Sequence, residues 1–263
     1  MNNQPIGVFD SGIGGLTILR ALHKALPRER LIYFGDTANV PYGGKSKAAV
    51  TQLALHVAQF LEKQGVKMIV VACNTASAQA LAALRKNLKV PVLGVIEPGA
   101  QAAVNATQNN KIAVLGTQGT VESRAYVKAI AKRCNTAQVF QQACPLFVPL
   151  AEEGFADKPA AKLIAQEYLK PVQNSGADTV ILGCTHYPIL KNLIAQIMGP
   201  RITLVDSADT LAQAVAQFLQ EKHLAATGRG RVTLYASDAP DKFTRSARQL
   251  LGEKTVCARL KKI

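Results

Sequence analysis

The chain has no tryptophan and few aromatics of any kind, at 5% of its residues. It also lacks any apolar stretch of the roughly 18 to 20 residues needed for a membrane-spanning helix, so neither a membrane span nor a membrane partner is expected. Met1-Asn-Asn-Gln-Pro5 carries neither the basic nor the apolar region of a secretory signal, which makes a cytoplasmic location the expectation. Cysteine is sparse and odd in number, five in all. The cysteines stand singly, with no Cys-x-x-Cys pair, and although Cys184-Thr185-His186 offers two metal ligands, no further Cys/His cluster completes a site. That argues against a disulfide framework, a zinc ribbon or a thioredoxin-type centre, and no metal is expected. Acidic residues are scarce, 17 against 31 Lys and Arg, for a net charge of +14. The excess is spread over the whole length, with only Arg259-Leu-Lys-Lys262 as a dense cluster and no aromatic-interleaved basic stripe. Solvated surface lysines, with some steering of an anionic substrate, therefore fit better than specific nucleic-acid binding.

What is present is a composition with 48% hydrophobic residues in 263, enough for one large α/β domain or two compact ones. Short apolar runs alternate with amphipathic stretches, as in βαβ units around a parallel sheet. Ile6-Gly-Val-Phe9 and Leu31-Ile-Tyr-Phe34 read as strands. Leu16, Leu19, Leu22 and Leu26 recur at helical spacing between them. Ser46 is placed to cap a helix whose inner face is Val50, Leu53, Val57 and Leu61. Val92-Leu-Gly-Val-Ile96 closes a first set of elements.

The pattern then restarts. Lys111-Ile-Ala-Val-Leu-Gly-Thr117 parallels Pro5-Ile-Gly-Val-Phe-Asp-Ser11, with Thr120 as a cap for the next helix. Gly176-Ala-Asp-Thr-Val-Ile-Leu-Gly-Cys184 parallels Gly65-Val-Lys-Met-Ile-Val-Val-Ala-Cys73. Ile202-Thr-Leu-Val-Asp206 parallels the run into Glu97. The offsets are 106, 111 and 109 residues, which implies a duplicated domain. The expected fold is α/β, two similar domains with mainly parallel sheets flanked by helices and a site in the cleft between them. The domains are expected at 1–97 plus 207–263 and at 98–206, the strands Arg231–Ala236 and Thr255–Ala258 returning to the first.

Ligands bind outside the carboxyl ends of strands in open parallel sheets. Cys73, Cys184, Asp10 and Thr117 all fall there. Each cysteine precedes an expected helix start, where backbone N–H groups attract anions and lower a thiol's pKa. Asn74, Thr75, Thr185 and His186 add donors at the same turns. Inverting a stereocentre needs one base and one acid on opposite faces of a carbon, with roles that swap with direction. Two equivalent thiols meet that demand, and Cys134, Cys144 and Cys257, which lack the setting, read as structural. Asp10-Ser-Gly-Ile-Gly-Gly15 has neither the spacing nor the Lys-Ser/Thr of a nucleotide loop, and reads as a close-approach backbone loop with Asp10 at the cleft.

Five segments carry a specific resemblance. They are Gly7-Val-Phe-Asp-Ser-Gly-Ile-Gly-Gly-Leu16, Tyr33-Phe-Gly-Asp-Thr37, Pro41-Tyr-Gly43, Val71-Ala-Cys-Asn-Thr75 and Leu182-Gly-Cys-Thr-His-Tyr-Pro188. Together they resemble the glutamate racemases of the cofactor-independent aspartate/glutamate racemase superfamily. The resemblance implies interconversion of L- and D-glutamate by Cys73 and Cys184 without pyridoxal phosphate or other cofactor, supplying D-glutamate for peptidoglycan. It further implies that Asp10 assists one thiol and His186 the other. Glu152, in Pro149-Leu-Ala-Glu-Glu-Gly154, is implied as a second assisting acid, with Glu153 beside it. Ser11, Tyr42, Gly43, Asn74, Thr75 and Thr185 are implied as substrate contacts, together with Asp10 and His186, and Thr117 and Thr120 are further candidates. Such proteins are often homodimers. The competing readings are a racemase of aspartate or another amino acid, and a basic protein that binds nucleic acid or an acidic partner.

Overall fold

A computed structural model describes residues 3–263; Met1 and Asn2, within the segment read above for a targeting signal, lie outside the described residues. Among the described residues, ten strands form two sheets. In chain order they are β1 (Ile6–Asp10), β2 (Arg30–Gly35), β3 (Met68–Val71), β4 (Val92–Gly94), β5 (Lys111–Gly116), β6 (Gln138–Ala143), β7 (Thr179–Gly183), β8 (Thr203–Asp206), β9 (Arg231–Ala236) and β10 (Ala258–Leu260). The first sheet runs β10-β9-β2-β1-β3-β4 and the second β6-β5-β7-β8. Every pairing is parallel. Parallel neighbours require a crossover, and helices covering both faces bury the strands completely. Hence β1, β3 and β7 are fully buried and mostly apolar.

The duplication is visible in the strand order. β2-β1-β3-β4 and β6-β5-β7-β8 have the same topology, and β9 and β10 extend the first sheet beyond β2. Even the turns into the cysteine-bearing strands match. Gly65 and Gly176 both adopt positive φ, +72° and +69°, a conformation open to glycine at little cost. β6, the counterpart of β2, escapes a reading by apolar runs because Gln138-Val-Phe-Gln-Gln-Ala143 is a half-polar edge strand.

Four local expectations need correction. Ile96 opens the helix Ile96–Ala106 instead of ending a strand, since β4 stops at Gly94. The last strand lies at Ala258–Leu260, because pairing with β9 begins only at Ala258 opposite Leu234. Thr117, not Thr120, caps the helix Gln118–Ser123, accepting from the Thr120 N–H at 3.3 Å. On the helix Lys47–Lys63, capped by Ser46 as expected, Ala54 and Ala58 complete the buried face while Leu53 is only half-buried.

The two sheets also share a core. Ile6, Val8 and Leu31 of the first sheet belong to the same buried cluster as Ile112, Val114 and Ile181 of the second. Between them lie the helices Leu16–Ala25, Ile96–Ala106 and Ser207–Glu221, the last packed on the other two. The carboxyl ends of both sheets are thereby held against each other. No helix among the described residues is long and apolar enough to cross a membrane.

At the opposite end, Lys67 and Glu29 form a buried ion pair at 2.6 Å, with side chains 1% and 3% exposed. The pair also binds the chain ahead of β9. Lys67 donates to the Leu224 carbonyl at 2.6 Å, and Glu29 accepts from the Ala226 N–H at 2.7 Å. Glu29→Gln keeps the shape but removes the carboxylate charge 2.6 Å from the Lys67 ammonium. We expect it to lower unfolding free energy by about 3 kcal/mol in urea titration, with activity per folded molecule retained because the pair lies far from the cleft.

Candidate active site

β1 delivers Asp10 and β3 delivers Cys73 to neighbouring strand ends, since Phe9 pairs with Val71. Asp10 is fully buried and accepts from the Gly12 N–H at 2.9 Å. Cys73 caps the helix Asn74–Gln79, its sulfur accepting from the Ala76 N–H at 3.4 Å, while Ser11 Oγ lies 4.0 Å away. The helix start does not lower this thiol. Burial pushes Cys73 up to about 12, and negative charge on Asp10 and Cys184 adds to the rise, against weaker opposing help from Ala76 and Ser11. Six residues of helix are too little to outweigh the desolvation of a thiolate at 5% exposure. Cys73 therefore rests as a thiol.

In the second sheet the pairing of Gly116 with Gly183 puts Thr117 and Cys184 level. Cys184 does not stand directly before an α-helix. It opens a turn into the 3₁₀ segment Tyr187–Leu190, whose cap is His186, and the α-helix Lys191–Met198 follows. The turn brings His186 Nδ1 to 3.9 Å from Cys184 Sγ, and Nε2 meets Glu152 Oε1 at 2.9 Å. Glu153 instead faces solvent and Lys242, at 3.7 Å. Burial alone would lower His186. Hydrogen bonds with Cys184 and Glu152, together with the negative charge of Cys184 and Asp10, more than offset this and raise it to about 10. The same bond holds Glu152 below the usual carboxylate range. His186 is thus a buried cation between a carboxylate and a sulfur.

Across the cleft, Thr185 donates to Asp10 Oδ2 at 3.1 Å, so Asp10 is tied to the Cys184 turn as well as acting by charge on Cys73. Burial raises the Asp10 carboxyl, against the lowering pull of His186. The Asp10–Gly15 loop does make a close backbone approach. A Cβ on Gly14 would stand 2.5 Å from Thr185 Oγ1 and 2.7 Å from His186 Nδ1. Thr75, Thr117 and Thr120 form a hydroxyl cluster between the sheets, with Thr75 to Thr117 at 2.9 Å and Thr117 to Thr120 at 3.0 Å. Gly43 accepts from the Gly119 N–H at 3.0 Å. Asn74 Oδ1 accepts from the Tyr126 hydroxyl at 2.8 Å, whereas its buried Nδ2 has no hydrogen-bond partner among the described residues. Tyr42 is buried with its hydroxyl turned to Asp36 at 2.6 Å, so that group is already engaged.

Three residues escape the sequence reading of the site. Asp36 also accepts from Ser237 and Asn39 and so anchors the Tyr42 loop; its signal lay within Tyr33-Phe-Gly-Asp-Thr37, but without an assigned role. Tyr33 donates to the Gly12 carbonyl at 2.8 Å and looks from sequence like any strand aromatic. Tyr126 reads as one apolar position in a short helix. Among the described residues no group of three or more His, Cys, Asp or Glu is arranged to hold a metal ion. A cavity of about 180 Å³ beside Glu152, lined also by Gly12, Val40, Lys242 and Phe243, places a cation near the outer edge of the site.

The arrangement offers two buried thiols, one beside a carboxylate and one beside an imidazolium, with neutral donors between them. Comparisons with known proteins place the chain among racemases. A glutamate racemase from Geobacter metallireducens is 49% identical over 253 residues, covering 95% of this chain and 94% of its own. The crystal structure of a glutamate racemase from Bacillus anthracis superposes with a TM-score of 0.97 at 35% identity, covering 100% and 99% of the two chains. That of a glutamate racemase from Francisella tularensis in complex with D-glutamate does so with a TM-score of 0.91 at 38% identity, covering 100% and 98%. The sequence pattern of the Asp/Glu/Hydantoin racemase family matches residues 6–215, and the chain belongs to that family.

Proposed function

We propose that this protein is an isomerase interconverting L- and D-glutamate by a two-thiol mechanism, supplying D-glutamate for peptidoglycan. The observation that carries the reading is the convergence of Cys73 and Cys184 from equivalent strands, each with its own proton-handling partner. One sulfur, as thiolate, takes the α-proton. The electron pair left on carbon delocalises into the adjacent carboxylate, whose developing charge is met by donors at the two turns. The other sulfur, as thiol, gives its proton to the opposite face. The net change is inversion, and the two sulfurs end with protonation exchanged.

In this reading Asp10 serves Cys73, as a neighbouring carboxylate able to receive the proton that keeps that thiol neutral. His186 serves Cys184, and Glu152 holds His186 charged. Ser11, Asn74, Thr75 and Thr185 present donors to the substrate, with Gly43 and Tyr42 shaping the adjacent wall. The lobes are taken as 1–97 with 207–263 and as 98–206, a division supported by β9 and β10 lying in the first sheet. The protein is taken to act in the cytoplasm, as a homodimer.

Purified protein without added pyridoxal phosphate should abolish the circular-dichroism signal of either glutamate enantiomer. Unchanged signals would overturn the reading. Faster loss of signal with aspartate than with glutamate would assign the other substrate.

A further inference from the structure

Tyr126 touches both thiol turns. It lies on the second-lobe helix Ala125–Ala131 and is fully buried. Its hydroxyl donates at 2.8 Å to Oδ1 of Asn74, the residue after Cys73. The edge of its ring rests on Gly183, the residue before Cys184, where a Cβ would stand 3.2 Å from Cε2. A Cβ on Gly99 would stand 3.2 Å from the hydroxyl and 3.3 Å from Cε1. Glycine at both places leaves room for a rigid ring with only two side-chain torsions.

The contact with Asn74 also fixes an amide. An Asn side chain has one accepting oxygen and one donating NH₂ group. With Oδ1 occupied by the hydroxyl, Nδ2 must present its N–H groups elsewhere. Nδ2 is buried without a partner among the described residues, on a residue 2% exposed next to Cys73. Buried donors are nearly always satisfied, so a lone one beside a reactive thiol points to a ligand acceptor.

We propose that Tyr126 is a positioning residue that spans the two cysteine turns and holds the Asn74 amide with Nδ2 toward a substrate carboxylate. The inference rests on the reading of the cleft as a glutamate-racemising site. Asn74 makes the contact and Tyr126 acts through it. Because the two belong to different sheets, the amide is oriented only when the sheets stand together as they do here. Substrate affinity is thereby tied to the apposition of the lobes.

Tyr126→Phe keeps the ring and its packing and removes only the donor. The test measures KM and kcat in both directions for wild type, Tyr126→Phe, Asn74→Ala and the double variant. Loss of a well-placed hydrogen bond to a carboxylate is expected to raise KM about tenfold in each single variant, with kcat changing less than KM. In the Asn74→Ala background, Tyr126→Phe should add no further loss, since the two act as one unit. A KM for Tyr126→Phe within twofold of wild type, or losses that multiply in the double variant, would overturn the proposal. If Tyr126→Phe does not fold, Gly99→Ala replaces it, crowding the hydroxyl without removing it. A raised KM then supports the proposal and an unchanged one overturns it. Wild-type protein that turns over neither enantiomer overturns the reading of the site and the role of Tyr126 together. An active wild type with an indifferent Tyr126 overturns only the latter.

Discussion

Cys73→Ser and Cys184→Ser are each expected to lower kcat for racemisation by at least about a thousandfold in both directions, within the range general acid–base groups contribute. A hydroxyl is too weak an acid to stand as a thiolate does, so each substitution removes the base for one enantiomer and the acid for the other. The remaining thiol still faces one side of the α-carbon. In heavy water each variant should therefore exchange the α-proton of one enantiomer with retention, and the two variants should exchange opposite enantiomers. NMR of the α-proton and circular dichroism of the substrate separate exchange from inversion. Both variants exchanging the same enantiomer, or either racemising near the wild-type rate, would sink the two-thiol mechanism. Thermal melting of each variant controls for the cost of a polar hydroxyl at 5% or 6% exposure.

That asymmetry between the thiols is where sequence and structure contribute differently. The duplication was legible because a parallel strand buried on both faces is a continuous apolar run, and Met68–Val71 and Thr179–Gly183 are such runs. Placing Cys73 and Cys184 at strand ends followed directly. The helpers of each sulfur, Asp10 and the His186–Glu152 pair, came through the family resemblance and not from local pattern, because each environment is made by residues far apart in sequence. Asp10 and Thr185 meet across 175 positions, and Glu152 reaches His186 across 34. The local rule that a helix start lowers a thiol's pKa fails at Cys73, where burial outweighs six residues of helix. Strands on a sheet edge were also poorly legible. β6 is half-polar, and β10 is a short run of Ala258, Arg259 and Leu260 set by its pairing with β9.

His186→Gln is expected to lower kcat about a hundredfold, and Glu152→Gln about thirtyfold, the scale of a charge-assisted hydrogen bond. The two should differ in their pH dependence. In the wild type burial lowers His186, and the hydrogen bonds of Cys184 and Glu152 with the charges of Cys184 and Asp10 raise it to about 10. Weakening the Glu152 hydrogen bond leaves burial opposed by less, so His186 loses its proton at lower pH. The alkaline limb of the rate profile should move toward neutrality in Glu152→Gln and vanish in His186→Gln. Stability follows the same groups. The stabilisation from His186 is complete below its ordinary value of 6.5 and is lost as pH rises through about 10. That from Glu152 is complete above its ordinary 4.5 and is lost as pH falls through its depressed value. Urea titrations of wild type and Glu152→Gln should therefore differ most between about 4.5 and 6.5, and converge on either side. A constant difference across pH would mean that Glu152 supports the fold without holding a charge on His186. An alkaline limb unmoved in Glu152→Gln would detach it from the chemistry at Cys184.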